Sequence, residues 1–406
     1  MGILEAGHAI VHGKIVEGLQ LPFPRDEYYE TVIIPGFSDA HMHPQVVDAG
    51  LDGGRVWSNS YEWIEERRLR VDEAGVRSDL ELSARLARAV YKRALLEGVT
   101  LVAVTGNVEA NVRAWLSLSI APRAVFLPTI MKRKGWPTLS RAEMLLKKLR
   151  GMLDDGFARV GVFIHSIRLA GPDQLYQAVS RARELGGLVG LHLGEGVPEA
   201  AEYFRITGGV PLGVRVVAVH CISDPDPRAY GLLCVSCPAT NLILYRRTRS
   251  SLRGVTSFGS DWPLLIGTVA RHLPLIARVF PGFLDGTFRR ATIGGYRDYG
   301  IPHGGDLVAY DVPPERIPES FHAPKLVMVS NRIAVHEGRL VESGESLTEV
   351  ERSIRALIRE AIEAHPAPGA PLRGDPIEEA SRALQAIASS CTPGAARRGC
   401  RSPAGL

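Results

Sequence analysis

The chain has 406 residues, of which 45% are hydrophobic and 23% are charged, and its formal net charge is only +4. This length suits one large barrel or two medium domains, and the composition excludes a disordered, collagen-like or coiled-coil protein. So small a net charge does not indicate a nucleic-acid surface. No apolar run approaches the roughly 18 residues of a membrane span, and the first residues lack the pattern of a signal peptide. These features predict a cytoplasmic protein that binds neither nucleic acid nor a membrane.

Arginine and the amide residues are used unevenly. The chain contains 41 Arg against 7 Lys, and Asn and Gln together number 10. Few thermolabile amides are typical of a thermophile, although a GC-rich genome skews composition in the same direction. The five cysteines are odd in number and scattered, which argues against a disulfide framework. Cys234 and Cys237 form one C-x-x-C without a second pair, so we expect no metal or redox role there.

Short β-branched apolar segments alternate with longer amphipathic segments through the middle of the chain. The apolar segments lie at 32–34 leading to His43, 99–104, 123–129, 158–164, 188–193, 215–220, 232–236 and 255–259. Continuous apolar strands separated by helices indicate a parallel sheet that is buried on both faces. Eight such units in roughly 250 residues match the size of a (β/α)₈ barrel of the TIM type. A doubly wound open sheet is the alternative, but no Gly-rich phosphate-binding motif follows the first strand.

The two ends of the chain have a different pattern. Short apolar and turn segments at 1–31 and 303–341 predict a small β subdomain, formed from both chain ends beside a barrel at 32–302. Residues 342–390 predict C-terminal helices, with a Pro/Gly-rich break at 366–376. We expect residues 391–406 to form a disordered tail.

Polar side chains stand at the ends of several predicted strands. His41 and His43 end strand one and, being two residues apart, face the same side of an extended strand. Strands five, six and eight end at His192, His220 and Asp261. Catalytic groups of such barrels gather at the C-terminal ends of the strands, so we expect these side chains to converge. Imidazole and carboxylate ligands predict one divalent metal ion, with Zn²⁺ favoured and Fe²⁺, Mn²⁺ or Co²⁺ as alternatives.

Glu195 is a candidate for proton transfer. It follows His192 by three residues in a glycine-flanked loop, His192-Leu193-Gly194-Glu195-Gly196. Hydrolysis by a metal-activated water needs a nearby acid/base that moves the proton to the substrate, and a carboxylate beside a ligand can do this without coordinating the metal. Taken alone, such a residue is more often an ordinary side chain of a surface loop.

Further segments extend this pattern along the chain. They are Pro35-Gly36-Phe37-Ser38-Asp39-Ala40-His41-Met42-His43, Leu96-Glu97-Gly98-Val99-Thr100, His220-Cys221, Cys237-Pro238-Ala239-Thr240-Asn241-Leu242, Ser260-Asp261 and Gly305-Asp306-Leu307-Val308. Together with His192-x-x-Glu195, they resemble the amidohydrolase superfamily, and within it the aminohydrolase and chlorohydrolase-like branch of heterocycle deaminases. The resemblance runs over residues 32–341.

The resemblance implies a role for each of these residues. It makes His41, His43, His192 and Asp261 the ligands of the metal. It makes Glu195 the proton shuttle and implies that His220 and Asp261 stabilise the attacking hydroxide. It places His165, at the end of strand four, near the substrate. That match is looser because Ile167-Arg168 stands where relatives often carry Pro-Tyr, and a structural histidine is the alternative.

The predicted function is hydrolytic deamination of a small nitrogen heterocycle of purine, pterin or pyrimidine type, which is hydrolysis of a C–N bond other than a peptide bond. Relatives with two metals usually hold them with a Lys or Glu on strand four, and the segment 158–165 has neither. One alternative is hydrolysis of a cyclic amide, as in imidazolonepropionase-like relatives. The other is a barrel retained as a non-catalytic binding protein, which would need neither the ligands nor the shuttle.

Three residues after strand ends are candidates for substrate binding. Trp57, Trp262 and Arg168 follow strands one, eight and four. An indole face would stack on a planar ring, and Arg168 would hold a carbonyl or an anionic group. Core packing is the alternative for both Trp residues. The only partner that these residues indicate is a small-molecule substrate, and they are compatible with a homo-oligomer.

Overall fold

The computed structural model describes residues 2–11, 14–23, 27–51, 54–133, 135–153, 156–224, 226–281, 286–369 and 374–390, and the structural statements that follow concern these residues. The tail expected at 391–406 lies outside them.

The strands of the described residues form two sheets. In chain order they are β1 Gly2–Val11, β2 Lys14–Phe23, β3 Glu27–Pro35, β4 Phe37–Met42, β5 Val99–Gly106, β6 Arg123–Ile130, β7 Ala158–Val160, β8 Val162–Ile164, β9 Leu188–Leu193, β10 Arg215–His220, β11 Leu233–Ser236, β12 Val255–Phe258, β13 Leu307–Tyr310, β14 Leu326–Val329, β15 Arg332–His336 and β16 Arg339–Leu340.

Helices follow most strands of the larger sheet. They are α1 Ser60–Glu66, α2 Glu73–Ser78, α3 Leu80–Leu96, α4 Val108–Leu116, α5 Leu139–Leu153, α6 Ile167–Ala170, α7 Pro172–Ser180, α8 Ala200–Thr207, α9 Pro238–Tyr245, α10 Pro263–Ile266, α11 Leu273–Val279, α12 Gly295–Tyr299, α13 Leu347–Ala364 and α14 Pro376–Ser390. Short 3₁₀ turns cover Pro227–Tyr230 and Pro314–Arg316, and a π-helical turn covers Arg290–Gly294. None of the described helices is long and apolar enough to cross a membrane.

The larger sheet is a parallel barrel. Its strands run in the order β4-β5-β6-β8-β9-β10-β11-β12, and β7 also pairs with β6. The ends of this path meet, because Met42 forms a parallel bridge with Asp261. Two backbone hydrogen bonds support the closure: the His43 amide donates to the Asp261 carbonyl (2.8 Å), and the Asp261 amide donates to the His41 carbonyl (3.0 Å). The predicted (β/α)₈ barrel is confirmed, and the open-sheet alternative is excluded.

The smaller sheet is built from both sides of the barrel sequence. Its order is β16-β15-β14-β13-β3-β1-β2, and β3 pairs antiparallel with β13. The apolar run 32–34, which we expected at the start of the first barrel strand, lies in β3 instead. The barrel strand begins at Phe37. The chain passes from the smaller sheet to the barrel at Gly36. A Cβ atom at this position would lie 1.9 Å from Oγ1 of Thr100, so no side chain fits there.

The C-terminal helix α13 shows why these segments fold locally as helices. Ser346 accepts a hydrogen bond from the Glu349 amide, and the Glu349 carboxylate accepts one from the Ser346 amide, which together form a capping box. The apolar side chains recur at helical spacing, and Val350, Ile354 and Ile358 are buried. This face packs against α3, so the helix extends the shell around the barrel.

Candidate metal centre and active site

Four side chains meet at the C-terminal end of the barrel strands. His41 lies near the end of β4 and His43 follows it, His192 comes from β9, and Asp261 follows β12. One ligand atom of each residue lies within 4.8 Å of those of the other three. The Nε2 atom of His41 is 3.0 Å from Nε2 of His43 and 3.2 Å from Nε2 of His192. Oδ1 of Asp261 is 3.3 Å from His43 Nε2 and 3.6 Å from His41 Nε2.

This spacing fits a single divalent ion. Two ligands that are each about 2.0–2.1 Å from a tetrahedral ion lie about 3.3 Å apart. The separations of 3.0, 3.2, 3.3 and 3.6 Å lie on either side of that value, and all four ligand atoms lie within 4.8 Å of one another. Three imidazole nitrogens and one carboxylate oxygen are also the donor types of Zn²⁺ sites. The residues therefore fit a single metal ion.

Burial keeps the three imidazoles neutral. The loss of solvent lowers the pKa of His41, His43 and His192, and the neighbouring histidines lower it further for His43 and His192. Burial alone would raise the pKa of Asp261. The adjacent polar ring atoms of His41, His43 and His220 outweigh that effect and hold its pKa below the usual range. Neutral imidazoles and an ionised carboxylate are the forms that bind a metal.

Neighbouring groups orient the four candidate ligands. The Thr105 hydroxyl lies 2.8 Å from Nδ1 of His43. The Asp39 carboxylate accepts hydrogen bonds from the amides of Ser260 (2.8 Å) and Val269 (3.0 Å), which fixes the segment that carries Asp261. The ring of Phe163 stacks on His41, with 5.3 Å between the centroids. These contacts hold the donor atoms toward a common point.

The carboxyl group of Glu195 lies beside this cluster. The side chain is buried, and the hydroxyl of Tyr245 donates a hydrogen bond of 2.6 Å to Oε1. Burial raises the pKa of Glu195 and the charge of Asp261 adds to this effect, while His220 and the hydrogen bond from Tyr245 oppose it. A raised pKa makes this carboxylate a stronger proton acceptor than an exposed glutamate.

His220 faces Glu195 across the site. Its Nε2 atom is 3.7 Å from Oε1 of Glu195, and its Nδ1 atom is 2.7 Å from Oδ1 of Asn241. An amide oxygen only accepts, so Nδ1 carries the proton and Nε2 is directed toward Glu195. His220 and Asp261 both have positive φ angles, of 73° and 68°. Such backbone is uncommon outside glycine, and here it turns both side chains inward at the strand ends.

The structure brings His165 next to the ligand cluster. Its ring centroid is 4.8 Å from that of His192. Burial lowers the pKa of His165 to about 3, and the charges of Arg67, Arg77 and Arg133 contribute to the shift. His165 is therefore a neutral group at physiological pH. Its contact with a substrate stays a prediction.

The other three predicted substrate residues lie in different surroundings. Arg168 is exposed, and its guanidinium carbon lies 4.5 Å from the ring centroid of Tyr61. Trp57 and Trp262 are each only 2% exposed, and Trp262 packs on Trp63 with 5.6 Å between the rings. Such burial favours core packing for both indoles. A stacking role for either indole stays a prediction.

Sequence reasoning assigned no role to Asn241 and Tyr245, which contact His220 and Glu195. Asn241 belongs to the motif quoted after strand seven, and Tyr245 follows it by four residues on α9. Residues four apart share one face of a helix. This spacing was the signal that could have identified Tyr245.

Comparisons with known proteins agree with this fold. Residues 32–224, which include all the predicted site residues except Asp261 and Trp262, match the model of the amidohydrolase family. No curated protein sequence matches the chain. Similar solved structures include an adenosine deaminase from Xanthomonas campestris with bound zinc, which has a TM-score of 0.68 and 18% identity and covers 89% of this chain and 98% of that one.

Two further structures share the fold. The atrazine chlorohydrolase of Arthrobacter aurescens TC1, complexed with zinc, has a TM-score of 0.66 and 16% identity over 88% of this chain and 100% of that chain. An amidohydrolase from Brucella melitensis has a TM-score of 0.63 and 19% identity over 89% of this chain and 100% of that chain. The family-model match over residues 32–224 confirms the resemblance to the amidohydrolase superfamily that the sequence motifs indicate, and the solved structures confirm the fold.

Proposed function

We propose that this protein is a metal-dependent hydrolase that removes an exocyclic amino group from a small nitrogen heterocycle. The observation that carries the proposal is the position of Glu195, a buried carboxyl group 3.7 Å from His220 and beside the cluster of three His and one Asp. A binding protein needs no proton-transfer group at such a cluster. The fold is also that of an adenosine deaminase and an atrazine chlorohydrolase, two proteins named for nitrogen-heterocycle substrates.

His41, His43, His192 and Asp261 would hold the metal, and Zn²⁺ is the ion that this donor set suits best. When bound, the metal supplies the Lewis acidity that makes hydroxide available from water near neutral pH.

The side chains of the chain then have distinct tasks. Glu195 accepts a proton from the attacking water and delivers it to a ring nitrogen, which makes the adjacent carbon more electrophilic. His220 is fixed by Asn241, so its Nε2 atom lies ready to hydrogen-bond the attacking oxygen. The new C–O bond forms as the exocyclic C–N bond weakens, and ammonia leaves after a second proton transfer. The burial of Glu195 excludes bulk water from this path.

The test is ammonia release by the metal-loaded protein from a panel of amino-purines, pterins and amino-pyrimidines. We expect ammonia from at least one member, and we expect the Glu195→Gln protein to release it far more slowly. A protein that releases no ammonia but opens imidazolone or hydantoin rings would instead be a cyclic amide hydrolase, and the proposal would be wrong.

The proposal also includes the organisation of the chain into a small β subdomain, the barrel and the C-terminal helices. We place the protein in the cytoplasm and infer adaptation to heat from its low Asn and Gln content. Thermal unfolding of the purified protein tests the second inference, because a midpoint in the ordinary mesophilic range of about 45–65 °C contradicts it.

A further inference from the structure

A basic pocket lies close to the metal centre and is not explained by the residues described so far. It has a volume of about 590 Å³ and lies between the segment after α1, the loop after β6 and the segment that follows α13. Its charged lining consists of Arg67, Arg68, Arg77, Arg133, Asp72 and Glu73. Four guanidinium groups thus share the pocket with two carboxylates, which leaves an excess of positive charge.

Two aromatic side chains connect this pocket to the candidate ligands. Trp136 lines the pocket, and its ring centroid is 6.4 Å from that of His165. His165 in turn lies 4.8 Å from His192. These ring contacts place the pocket beside His165, on the side of the candidate site that His192 forms.

Arg77 lacks the partners that a buried guanidinium normally has. Its guanidinium carbon lies 3.2 Å from the ring centroid of Trp136, and burial lowers its pKa to about 10, so it remains charged at neutral pH. Its Nε and Nη1 atoms are buried and have no hydrogen-bond partner within the described ranges. By contrast, buried Arg93 pairs with Glu97 and buried Arg123 pairs with Asp306, each at 2.8 Å. A charged group with so few hydrogen bonds is costly to bury, so an anion in the pocket that Arg77 lines would stabilise it electrostatically.

The two carboxylates of the pocket attract Arg77 electrostatically, but they form their direct contacts with other groups. Glu73 pairs with Arg67 at 2.7 Å, and Asp72 caps α2 by accepting a hydrogen bond from the Ala74 amide at 3.0 Å. Arg133 is exposed at the rim of the pocket, on the loop that follows β6. Arg77 and Arg133 are therefore the groups best placed to bind an incoming anion. Arginine is suited to this because its planar fork of donors matches the oxygens of a carboxylate or a phosphate.

We propose that the substrate carries an anionic group, a carboxylate or a phosphate, which binds Arg77 and Arg133 in this pocket while the heterocycle lies between His165 and Glu195. The inference rests on the proposed function, because it names the class of heterocycle that the same site accepts. The guanidinium groups of Arg77 and Arg133, which both line the pocket, supply the positive charge that the anionic group needs.

The test compares matched neutral and anionic probes. Adenosine is paired with adenosine 5′-monophosphate, and pterin with pterin-6-carboxylate, so that the two pairs separate phosphate from carboxylate. Binding is measured by isothermal titration calorimetry to the metal-loaded Glu195→Gln protein, which does not turn the probes over rapidly. We expect one anionic probe to bind roughly 10–100-fold more tightly than its neutral partner, the range for a charge-assisted hydrogen-bonded pair.

Arginine variants then assign the preference to the pocket. Arg77→Gln and Arg133→Gln, each made in the Glu195→Gln background, should remove most of it. Because Arg133 is exposed, we expect Arg133→Gln to fold and to give a binding result even if Arg77→Gln does not fold. Arg205→Gln is the matched control, because this arginine of α8 is exposed and does not line the pocket. We expect it to leave the preference unchanged.

The outcomes separate this inference from the proposed function. Equal binding of neutral and anionic probes, or an anionic preference that survives both pocket variants, overturns the inference. Ammonia release from neutral heterocycles only, with no binding of the anionic probes, overturns it while the deaminase proposal stands. An arginine-dependent preference without ammonia release from any probe supports the pocket and counts against the deaminase proposal.

Discussion

The hydroxyl group of Tyr245 donates a 2.6 Å hydrogen bond to Oε1 of Glu195, and both side chains are buried. This bond stabilises the ionised carboxylate, whereas burial and the charge of Asp261 raise its pKa. The pKa of Glu195 is therefore a balance in which His220, Tyr245 and Ser60 oppose burial and Asp261, and one substitution removes the contribution of Tyr245.

Tyr245→Phe should move the acid limb of the pH profile of kcat/KM to higher pH. Without the hydrogen bond, the pKa of Glu195 rises and less of the carboxylate is ionised at a given pH. A hydrogen bond to a charged group is worth about 1.5–3 kcal/mol, which corresponds to about 1–2 pH units. Tyr203→Phe, which removes a buried hydroxyl in α8, is the control. An acid limb that stays in place in Tyr245→Phe would contradict the role of this bond.

Glu195→Gln should retain the metal and lower kcat by roughly 10²–10⁴-fold, the usual contribution of general acid–base catalysis. The amide nearly preserves the shape of the side chain but does not accept and return the proton. Metal content by elemental analysis and turnover on the same preparation check the prediction. Glu202→Gln is the control, because it makes the same substitution on the surface of α8. Near-normal turnover by Glu195→Gln would place the proton shuttle on another residue.

Removal of the metal should abolish activity and lower the thermal midpoint, because an ion that binds only the folded protein stabilises it. We expect one ion per chain, and we expect Asp261→Asn and His43→Ala to bind it more weakly. His165→Gln is the control, because His165 lies beside the cluster but does not belong to it. The metal content of this variant should stay near that of the unmodified protein. Elemental analysis and thermal unfolding provide the measurements. Two tightly bound ions per chain would refute a mononuclear centre.

His272 should make stability depend on pH. It is buried, Nε2 lies 3.1 Å from the Ile266 carbonyl oxygen, and burial lowers its pKa from 6.5 to about 4. Between these values the unfolded chain binds a proton that the folded chain does not. The free energy of unfolding therefore falls as the pH falls through this window, by up to about 3 kcal/mol from this group.

Urea unfolding of His272→Gln at pH 7.5, 6 and 5 tests the point. The variant lacks this titration, so the stability difference between it and the unmodified protein should shift in its favour as the pH falls. His322→Gln, outside the buried core, controls for the loss of a histidine. Parallel stability curves for His272→Gln and the unmodified protein would show that His272 is not the source.

The barrel and the ligand cluster were predictable for a simple reason. Parallel strands of one barrel end at one face, so residues at strand ends such as His41, His192 and Asp261 converge even when they are far apart in the chain. The same reasoning did not separate β3 from β4. The run from Val32 to Phe37 is apolar through most of its length, and only the close approach of Gly36 to Thr100 marks the crossing between sheets.

Loop residues were harder to place. Their position after a strand does not determine whether a side chain faces the pocket or the core, and Trp262 is buried because α1 brings Trp63 against it. Arg77 and Trp136 come from separate segments of the chain. Only the tertiary fold shows that the guanidinium group of Arg77 lies over the ring of Trp136. The basic pocket was therefore invisible in the sequence.

The pairing of β3 with β13 affects how the protein can be made. Every strand of the barrel lies between these two neighbours in the chain, so a ribosome synthesises the whole barrel before β3 gains its partner on that side. Until then β3 has an open strand edge, the kind of surface on which newly made chains associate wrongly. Folding yield during expression should therefore respond to chaperone supply and to growth temperature, even in variants whose catalytic residues are unchanged.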